Sequence, residues 1–405
     1  MQNREFSCIM TASDRCLKTR GGRKMAEYQL KNQELTLKIS SKGAEMKSLQ
    51  DNKTNQEYLW HGDSEYWGRT SPVLFPIVGN YREKESVFEG KTYSMSQHGF
   101  ARDMEFTLES QNKEEIWFEL KENEETLKKY PFAFRLHLGY RLNGRSVEVF
   151  WKVENPNEKK MYFSIGGHPA FNCPLKAEEK QSDYQLSFDT DKTLVCSILG
   201  ETGLLTARKK EFELTNHKMR IVEDLFDEDA LIIEGNQAKR VGLVNPQGET
   251  YLEVEFDAPL FGIWSPAKKS APFVCIEPWY GRSDKEDFSK KLEEREWGNE
   301  LEAGEVFEKT TSLNAVRRTG TAVGTRGSLL KTSDKKMQKL SPKEVEACIC
   351  ACGPGRKILH QKYGTGRIVS VSGDGSIAEI LFEGEDSTRK ISLPIAFAGK
   401  ILTLK

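Results

Sequence analysis

The feature that most constrains the fold is an alternation of apolar and polar residues that continues through a tight turn. Between residues 132 and 142 every second side chain is apolar, and the alternation resumes after Asn143-Gly144 over residues 147–151. Apolar residues with a period of two form one face of a half-buried β-strand. Asn-Gly between two such runs is typical of a β-hairpin, because both residues tolerate the positive φ that a two-residue turn requires. The sequence therefore predicts two antiparallel strands joined at this pair.

The same period of two recurs around residues 35–39, 106–108, 116–120 and 252–256. Almost no segment of this region has the 3.6-residue spacing of an amphipathic helix, and strands do not alternate with helices as in a parallel sheet. We therefore predict an all-β fold for residues 25–315, a large antiparallel β-sandwich. A broad concave sheet face in such a sandwich suits an extended polar ligand such as a sugar.

Charge divides the chain into parts with different properties. Residues 1–24 contain 6 basic and 2 acidic side chains, residues 25–315 contain 38 and 51, and residues 316–405 contain 16 and 8. Such asymmetry indicates separate modules with different partners. We predict a disordered extension over 1–24 and the main domain over 25–315. A basic linker rich in Gly, Thr, Ser and Lys follows over 316–355, and a small second domain over 356–405.

The composition excludes several classes of protein. No stretch approaches the roughly 20 apolar residues of a membrane-spanning helix, and the N-terminal segment lacks the apolar core of a secretory signal. The eight cysteines are scattered through the chain, which is typical of reduced thiols in the cytoplasm rather than of a disulfide framework. We therefore expect a cytoplasmic location and no membrane partner.

Two short motifs resemble ligand sites but lack part of what such sites require. The GKT segment at 90–92 has the end of a phosphate-binding loop, yet Glu85 occupies the position of the leading glycine. The three cysteines of segment 348–352 are separated by single residues, which is shorter than the spacing of zinc motifs, and a second ligand pair is missing unless His360 joins. We therefore expect no nucleotide hydrolysis, no metal and no cofactor.

Three short segments combine an ionisable side chain with glycine or proline and with aromatic residues. They are Gln97-His-Gly-Phe-Ala-Arg-Asp103, Ile165-Gly-Gly-His-Pro-Ala-Phe-Asn172 and Cys275-Ile-Glu-Pro-Trp-Tyr-Gly-Arg282. Each alone has an ordinary structural explanation: a His beside Gly is more often a turn or core residue, and Glu277 could simply pair with Arg282. Together, two His and a Glu could supply a general acid and a general base, and the aromatic surfaces around them suit a pyranose.

These segments resemble the aldose 1-epimerase (galactose mutarotase) family, together with the SPVLFPIVG segment at 71–79 and the LFDEDAL segment at 225–231. The resemblance extends over about seventy per cent of the chain, and the segments follow the family's order. It implies a galactose mutarotase-like sandwich and an isomerase of carbohydrate metabolism that interconverts the α- and β-anomers of a hexose. It further implies Glu277 as the general base, His168 as the general acid and His98 in support, either assisting at the ring oxygen or holding the substrate. No cofactor is implied, because ring opening is proton transfer alone.

The resemblance also implies residues that contact the sugar. An acidic residue on the sugar hydroxyls corresponds to Asp229. Where the family usually has Arg after a Val-Gly pair, this chain has Asn80, so Asn80 itself, Arg82 or Arg69 supplies that contact. The other expected substrate-binding residues are Arg102, Asn172 and Trp279.

The sequence leaves three alternative functions open. A hexose-phosphate 1-epimerase is one, because Arg69, Arg82 and Arg102 could bind a phosphate. A non-catalytic sugar-binding protein is another, although it would have no need of an acid–base set. A glycosidase would require paired carboxylates. The acidic runs at 223–224 and 227–229 lack aromatic or glycine framing and are typical of a solvated loop.

The C-terminal segment has a pattern of its own. Residues 356–405 contain short apolar runs divided by glycine turns, which predicts a small five-stranded β-barrel. The stretch from His360 to Gly384 resembles the SH3- or Tudor-like domain appended to UvrD-type helicases. That resemblance implies an interaction domain that binds a protein or a nucleic acid. The linker before it, with 10 basic and 3 acidic residues over 316–357, would assist binding of an anionic partner.

Overall fold

The computed structural model divides the chain into two compact units, Met1–Gly320 and Thr321–Lys405. The structure describes residues 26–316, 354, 356–360, 364–372, 377–382, 387–393 and 402–404. The predicted extension, nearly all of the predicted linker and the three cysteines of segment 348–352 lie outside the described residues.

The regular structure of the first unit consists almost entirely of β-strands. In chain order they are β1 (Glu27–Lys31), β2 (Leu35–Ser40), β3 (Glu45–Asp51), β4 (Val73–Leu74), β5 (Glu85–Phe88), β6 (Lys91–Ser94), β7 (Thr107–Gln111), β8 (Glu115–Lys121), β9 (Arg135–Asn143), β10 (Ser146–Glu154), β11 (Met161–Phe163), β12 (Ile165–Gly167), β13 (Ala170–Asn172), β14 (Gln185–Phe188), β15 (Leu194–Leu199), β16 (Leu205–Phe212), β17 (Lys218–Arg220), β18 (Leu231–Glu234), β19 (Arg240–Val244), β20 (Thr250–Phe256), β21 (Leu260–Trp264), β22 (Phe273–Tyr280), β23 (Asn299–Leu301) and β24 (Val306–Ala315).

Helices are short. One α-helix, α1, covers Glu124–Leu127, and its N-cap Asn123 accepts hydrogen bonds from the second and third residues that follow it. Single turns of 3-10 helix lie at Arg82–Lys84, Ala101–Asp103, Gln181–Asp183 and Leu292–Glu294. Within the part of the chain that the structure describes, no helix has the length and apolar character needed to cross a membrane.

Two large sheets form the body of this unit. One has nine strands in the order β17-β14-β19-β20-β24-β10-β9-β8-β7, and the other has eight in the order β16-β15-β18-β21-β22-β12-β4, with β13 also paired to β22. Strands β1-β2-β3 form a smaller sheet, and β5-β6 and β11-β23 form two-stranded pairs. Neighbouring strands in the large sheets are antiparallel, and side chains of both sheets share one apolar core. The prediction of an all-β fold with a large antiparallel sandwich is therefore confirmed.

The predicted hairpin is present at the centre of the nine-stranded sheet. β9 and β10 pair antiparallel with Asn143, the last residue of β9, opposite Ser146. The turn residues are therefore Gly144, with a φ of +57°, and Arg145, one position later than predicted. The side chains of β10 that were predicted to face inward, Val147, Val149 and Trp151, are buried against the core, as is Val153.

The strand predicted around residues 106–108 differs from a half-buried strand. β7 begins at Thr107, and its five residues are exposed, with Leu108 37% accessible. β7 is the edge strand of the nine-stranded sheet and pairs with β8 alone, so no second neighbour covers it. The alternation of apolar residues therefore predicted that a strand is present, but it could not show that this strand lies at the edge of the sheet.

The second unit contains a small antiparallel sheet. Its strands are β25 (Lys357–His360), β26 (Gly364–Val371), β27 (Ile377–Phe382), β28 (Arg389–Ser392) and β29 (Leu402–Leu404), in the order β28-β27-β26-β25-β29. Ile358, Ile368, Ile380 and Phe382 are buried between its strands. The five strands agree with the predicted number, whereas the likeness to SH3- or Tudor-like domains stays a prediction.

Matched Leu→Ala substitutions would test where the core of the first unit lies. Leu138 of β9 is fully buried, so we expect Leu138→Ala to lower the free energy of unfolding by about 2–5 kcal/mol through lost burial and a new cavity. Leu127 of α1 is 43% exposed, so Leu127→Ala should change the free energy of unfolding by no more than about 0.5 kcal/mol. Urea unfolding followed by tryptophan fluorescence measures this, because all seven tryptophans lie between residues 60 and 297. Equal losses in both variants would contradict the assignment.

Candidate active site

The candidate site is centred on β22, which is buried along its whole length. Val274 and Ile276 point into the core shared by the two large sheets. Cys275, Glu277 and Trp279 alternate with them and therefore face the opposite side of the eight-stranded sheet. That side is covered by loops rather than by a second sheet, and a cavity lies between the loops and β22.

Trp279 forms part of the cavity wall because glycines flank it on both neighbouring strands. A Cβ added to Gly166 of β12 would lie 2.6 Å from the Trp279 ring, and a Cβ added to Gly262 of β21 would lie 2.5 Å from it. Real side chains do not tolerate such distances, so glycine at both positions gives the indole room to lie across the sheet. Gly167, which directly precedes His168, faces Trp151 instead.

His168 reaches Glu277 because of how the chain crosses the sheet. It lies in the link between β12 and β13, and both of these strands pair with β22. Nε2 of His168 is 3.3 Å from Oε2 of Glu277. The two side chains are 9% and 1% exposed, and neither His168 Nδ1 nor Glu277 Oε2 has a well-aligned hydrogen bond from the described residues. A buried acid–base pair is thus in direct contact, with polar atoms left over for a ligand.

His98 is held in a tight turn at the opposite wall. Gly79 N–H donates to His98 Nδ1 over 3.0 Å, and His98 N–H donates to the Gly79 carbonyl over 2.8 Å. Gly99, with a φ of +74°, passes so close to the Phe75 carbonyl that a Cβ there would lie 2.2 Å from its oxygen. Because Nδ1 accepts a hydrogen bond, neutral His98 carries its proton on Nε2 and can act as a donor. Its ring centroid lies 5.6 Å from that of His168.

The cavity has a volume of about 320 Å³. Six of the predicted site residues line it: His98, Arg102, His168, Asp229, Glu277 and Trp279. Further wall residues are Trp67, Val78, Gly79, Gln97, Leu199, Gly203, Ala230, Ile232, Trp264 and Ser283. Three constellations that are far apart in the sequence therefore meet around one space.

Two further tryptophans fix the orientation of His168. Trp67 stacks on its imidazole at a centroid distance of 4.7 Å, and Trp264 meets it edge-on at 5.4 Å. Sequence reasoning did not identify either residue as part of the site. Both lie within two residues of a glycine, in Trp67-Gly68 and Gly262-Ile-Trp264, which is the same glycine-and-aromatic framing that marked the other segments.

Burial sets the protonation of the central groups. It lowers the pKa of His168 to about 3, with the charge of Arg102 adding to the effect. Burial, and then the charges of His168 and Arg102, lower the pKa of His98 well below its ordinary value. Burial and the nearby Asp229 carboxylate raise the pKa of Glu277 well above its ordinary value. Burial therefore favours the neutral form of both imidazoles and of the Glu277 carboxyl.

Arg102 and Asp229 place opposite charges at the cavity. Burial lowers the pKa of Arg102 to about 10, and its Nε has no hydrogen-bond partner among the described residues, while Nη2 donates to the Gln97 carbonyl over 2.6 Å. Asp229 has a φ of +73° and lines the cavity, although much of the residue is exposed. Desolvation of its carboxyl raises the Asp229 pKa, against the hydrogen bonds from Ala230 and Trp264. The acidic residues before it, at 223–228, do not line this cavity, as expected for a solvated run.

Two of the predicted sugar-binding arginines are engaged elsewhere. Arg69 Nη2 pairs with Asp103 Oδ1 at 2.9 Å, and Arg82 Nη1 donates to the Phe288 carbonyl over 2.8 Å. Neither side chain belongs to the cavity wall within the described part of the chain. Arg69 still acts on the site through its charge, which contributes to the lowered pKa values of both histidines.

The two predicted asparagines also lie outside the wall. The backbone N–H of Asn80 donates to Ser283 Oγ over 2.9 Å, which holds the cavity-lining Ser283 in place. Asn172 Nδ2 donates to the carbonyls of Glu57 and Leu59, both over 3.0 Å, and so ties β13 to a neighbouring segment. Their substrate contacts stay predictions that this arrangement does not favour.

Arg282 does not neutralise Glu277. Its Nε pairs with Glu234 Oε1 at 2.6 Å, and its Nη2 bonds Glu296. Burial opposes ionisation of Glu234, yet hydrogen bonds from Ser197 and Arg282 lower its pKa to about 2. The structural explanation that the sequence left open for Glu277 is therefore wrong, because the arginine of the same segment is paired with other carboxylates.

The family model for aldose 1-epimerase matches residues 26–314, so the chain belongs to the aldose 1-epimerase family. It is 37% identical over 278 residues to protein LacX of Lactococcus lactis subsp. lactis, an alignment that covers 66% of this chain and 92% of LacX.

Two solved structures extend the comparison. A galactose mutarotase related enzyme from Lactobacillus acidophilus is 37% identical with a TM-score of 0.68, over 73% of this chain and 98% of that chain. A galactose mutarotase-like protein from Lactobacillus casei ATCC 334 is 30% identical with the same TM-score of 0.68, over 71% of this chain and 99% of that chain. The similarity thus covers the first unit and nearly the whole length of each relative.

The raised pKa of Glu277 predicts a pH-dependent effect of Glu277→Gln on stability. The unfolded chain releases the Glu277 proton above the ordinary carboxyl pKa of 4.5, whereas the folded protein keeps it to a higher pH. The wild type therefore loses stability as the pH rises from 4.5 towards the pKa of Glu277 in the folded protein. Glutamine does not titrate. We therefore expect the free energy of unfolding of Glu277→Gln, relative to wild type, to be higher at pH 8 than at pH 5, with a slope of at most about 1.4 kcal/mol per pH unit. Urea unfolding at both pH values measures it, and a difference independent of pH would contradict the buried protonated carboxyl.

Proposed function

We propose that the first unit is an aldose 1-epimerase that interconverts the α- and β-anomers of a free hexose. The observation that carries the proposal is the contact of 3.3 Å between His168 Nε2 and Glu277 Oε2 at the wall of a 320 Å³ cavity. Anomer exchange requires removal of the proton from the C1 hydroxyl and protonation of the ring oxygen, so an acid and a base must lie close together. The relative from Lactobacillus acidophilus is named as galactose mutarotase related, which makes galactose the first sugar to test.

The pKa shifts suggest how the pair would work. Because burial favours the neutral pair, ring opening would begin with a proton passing from Glu277 to His168 across the 3.3 Å contact. Ionised Glu277 then takes the C1 hydroxyl proton and protonated His168 gives a proton to the ring oxygen, which leaves a neutral acid and a neutral imidazole. Burial favours that neutral state, because it raises the pKa of Glu277 and lowers the pKa of His168. After rotation about C1–C2, Glu277 returns a proton to the aldehyde oxygen and His168 takes one from the C5 hydroxyl. The ring closes on the other face, and the pair is restored.

His98, Asp229 and Trp279 would hold the sugar. His98 offers an Nε2–H donor to the ring oxygen or a neighbouring hydroxyl, because Gly79 occupies its Nδ1. Asp229 accepts hydrogen bonds from hydroxyl groups, as carboxylates in sugar sites do. The flat face of Trp279 suits the apolar C–H face of a pyranose. No metal or redox group is needed for these steps.

A hexose phosphate is the second candidate substrate, and Arg102 is the observation in its favour. Its guanidinium lines the cavity, and its buried Nε, 4.0 Å from Asp103 Oδ2, lacks a hydrogen-bond partner among the described residues. A phosphate oxygen would accept a charge-assisted hydrogen bond there. A free sugar hydroxyl could accept one as well, so the choice between the two substrates depends on experiment.

We propose an interaction role for the second unit, a domain that binds a protein or a nucleic acid. Exposed apolar side chains at Val369, Ile377 and Leu381, with the exposed cations Lys357 and Arg367 on adjacent strands, support a surface that meets a partner. The chemistry of the first unit is complete without it.

Polarimetry on freshly dissolved α-D-galactose and α-D-glucose tests the reaction. We expect the wild type to speed relaxation to the anomeric equilibrium and Glu277→Gln to lower kcat/KM by about 10²–10⁴, because a general base is lost. Glu308→Gln, an exposed substitution on β24, serves as the matched control and should leave the rate unchanged. If the wild type binds either sugar in calorimetry but does not speed relaxation, the protein is a sugar-binding protein and the proposal is wrong.

Arg102→Met separates the two substrates. If a phosphate is bound, the variant should lower kcat/KM for α-D-galactose 6-phosphate by about 10- to 100-fold more than for α-D-galactose, since a charged hydrogen bond is worth about 1.5–3 kcal/mol. If the wild type prefers free galactose and the variant lowers both values equally, the phosphate candidate is excluded. Arg208→Met, at an exposed arginine that pairs with Glu228, controls for the loss of one positive charge.

A further inference from the structure

A third potential ligand lies beside the proposed acid–base pair. Cys275 is two residues before Glu277 on β22, so both side chains face the same side of the sheet. The ligating atoms of His168, Cys275 and Glu277 all lie within 4.8 Å of one another, and all three residues are buried. Among the described residues, this is the one such group of three or more His, Cys, Asp or Glu side chains.

We infer that His168, Cys275 and Glu277 form a binding site for Zn²⁺ or a similar thiophilic divalent cation, and that the ion inhibits the enzyme. The inhibition rests on the proposed function, whereas the binding rests on geometry alone. Nitrogen, sulfur and carboxylate oxygen are the ligand atoms that zinc takes in proteins. Sequence spacing could not indicate this site, because His168 is distant in the chain from the other two residues.

The distances suit a tetrahedral ion. Zinc bonds of about 2.0–2.3 Å at tetrahedral angles separate ligand atoms by about 3.3–3.7 Å. His168 Nε2 and Glu277 Oε2, at 3.3 Å, already have that separation. The Cys275 sulfur, within 4.8 Å of both, needs to approach by at most about 1 Å to reach that separation.

Two further observations favour a cation here. Glu277 Oε2 is buried without a hydrogen-bond partner among the described residues, so an ion would use an acceptor that the fold leaves unused. His168 and Glu277 also line the cavity, which gives the ion an entry path and leaves a fourth coordination position facing it. Binding would release protons, because the thiolate and the carboxylate are the ligating forms.

Inhibition follows from the same contacts. An ion bound to His168 and Glu277 would occupy the atoms that must exchange protons with the sugar. The ion would also lie between the His168 and Glu277 side chains and block the approach of C1 and the ring oxygen of the sugar. Removal of the ion by a chelator should restore activity, because metal binding leaves the covalent bonds of the protein intact.

The test uses the full chain, with Cys275→Ala and the control Cys196→Ala, another buried free cysteine in the eight-stranded sheet. Equilibrium dialysis of Zn²⁺ should give the Cys275→Ala variant about one ion fewer per chain than wild type and Cys196→Ala. The cysteines at 348–352 contribute equally to all three proteins and cancel. Co²⁺ in place of Zn²⁺ adds a spectroscopic readout, a thiolate-to-cobalt absorption band that only the chains with Cys275 should show above the shared background.

Activity is measured in parallel by polarimetry at rising Zn²⁺. Each variant is compared with its own rate in the presence of EDTA. We expect the Zn²⁺ concentration for half inhibition to rise more than about tenfold in Cys275→Ala, because loss of an outer contact alone weakens metal sites by about that factor, and to stay unchanged in Cys196→Ala. Equal metal uptake in all three proteins would overturn the inference. If the wild type has no mutarotase activity, the proposed function fails while dialysis and the cobalt band still decide the metal site.

Discussion

The burial of Glu277 against His168 is the constraint on which the rest of this structure depends. A carboxyl that is 1% exposed, with no Lys or Arg paired to it among the described residues, is costly to ionise, so burial raises its pKa. β22 supplies that burial, because one of its faces belongs to the shared core of two large sheets and the other is closed by loops. The arginine nearest in the sequence, Arg282, is kept away by its bonds to Glu234 and Glu296. Neutralisation of Glu277 by that arginine would abolish the raised pKa on which its proposed role depends.

The backbone positions the catalytic candidates in two different ways. His168 is placed by strand pairing, because β12 and β13 both bind β22 and the link between them passes Glu277. His98 is placed by a turn, in which Gly79 and Gly99 allow a close approach and Gly79 fixes the tautomer of the imidazole. Strand pairing and the turn both fix these side chains through the backbone, which suits a reaction whose acid and base must keep their positions through ring opening and closure.

The features that suit proton transfer also suit a soft metal ion. Desolvation leaves Glu277 and His168 with unused polar atoms, and Cys275 adds a thiol on the same face of the strand. The proposed acid–base pair would therefore also be sensitive to thiophilic cations. Cys275 is the residue that separates the two proposed properties, since it lies outside the wall of the cavity.

Local pattern was enough to predict the strands, the hairpin at Asn143-Gly144, and the three segments that carry His98, His168 and Glu277, because alternation and glycine framing are properties of neighbouring residues. It could not place the edge strand β7, the arginines Arg69 and Arg82, or the walls made by Trp67 and Trp264. Those depend on which strands become neighbours and which charges meet across loops. The sequence alone thus determined the class of fold and the three segments that meet at the cavity. Tertiary structure decided the contact between His168 and Glu277, the position of Arg102 in the cavity wall and the shift in each pKa, because distance and desolvation arise only when remote segments pack together.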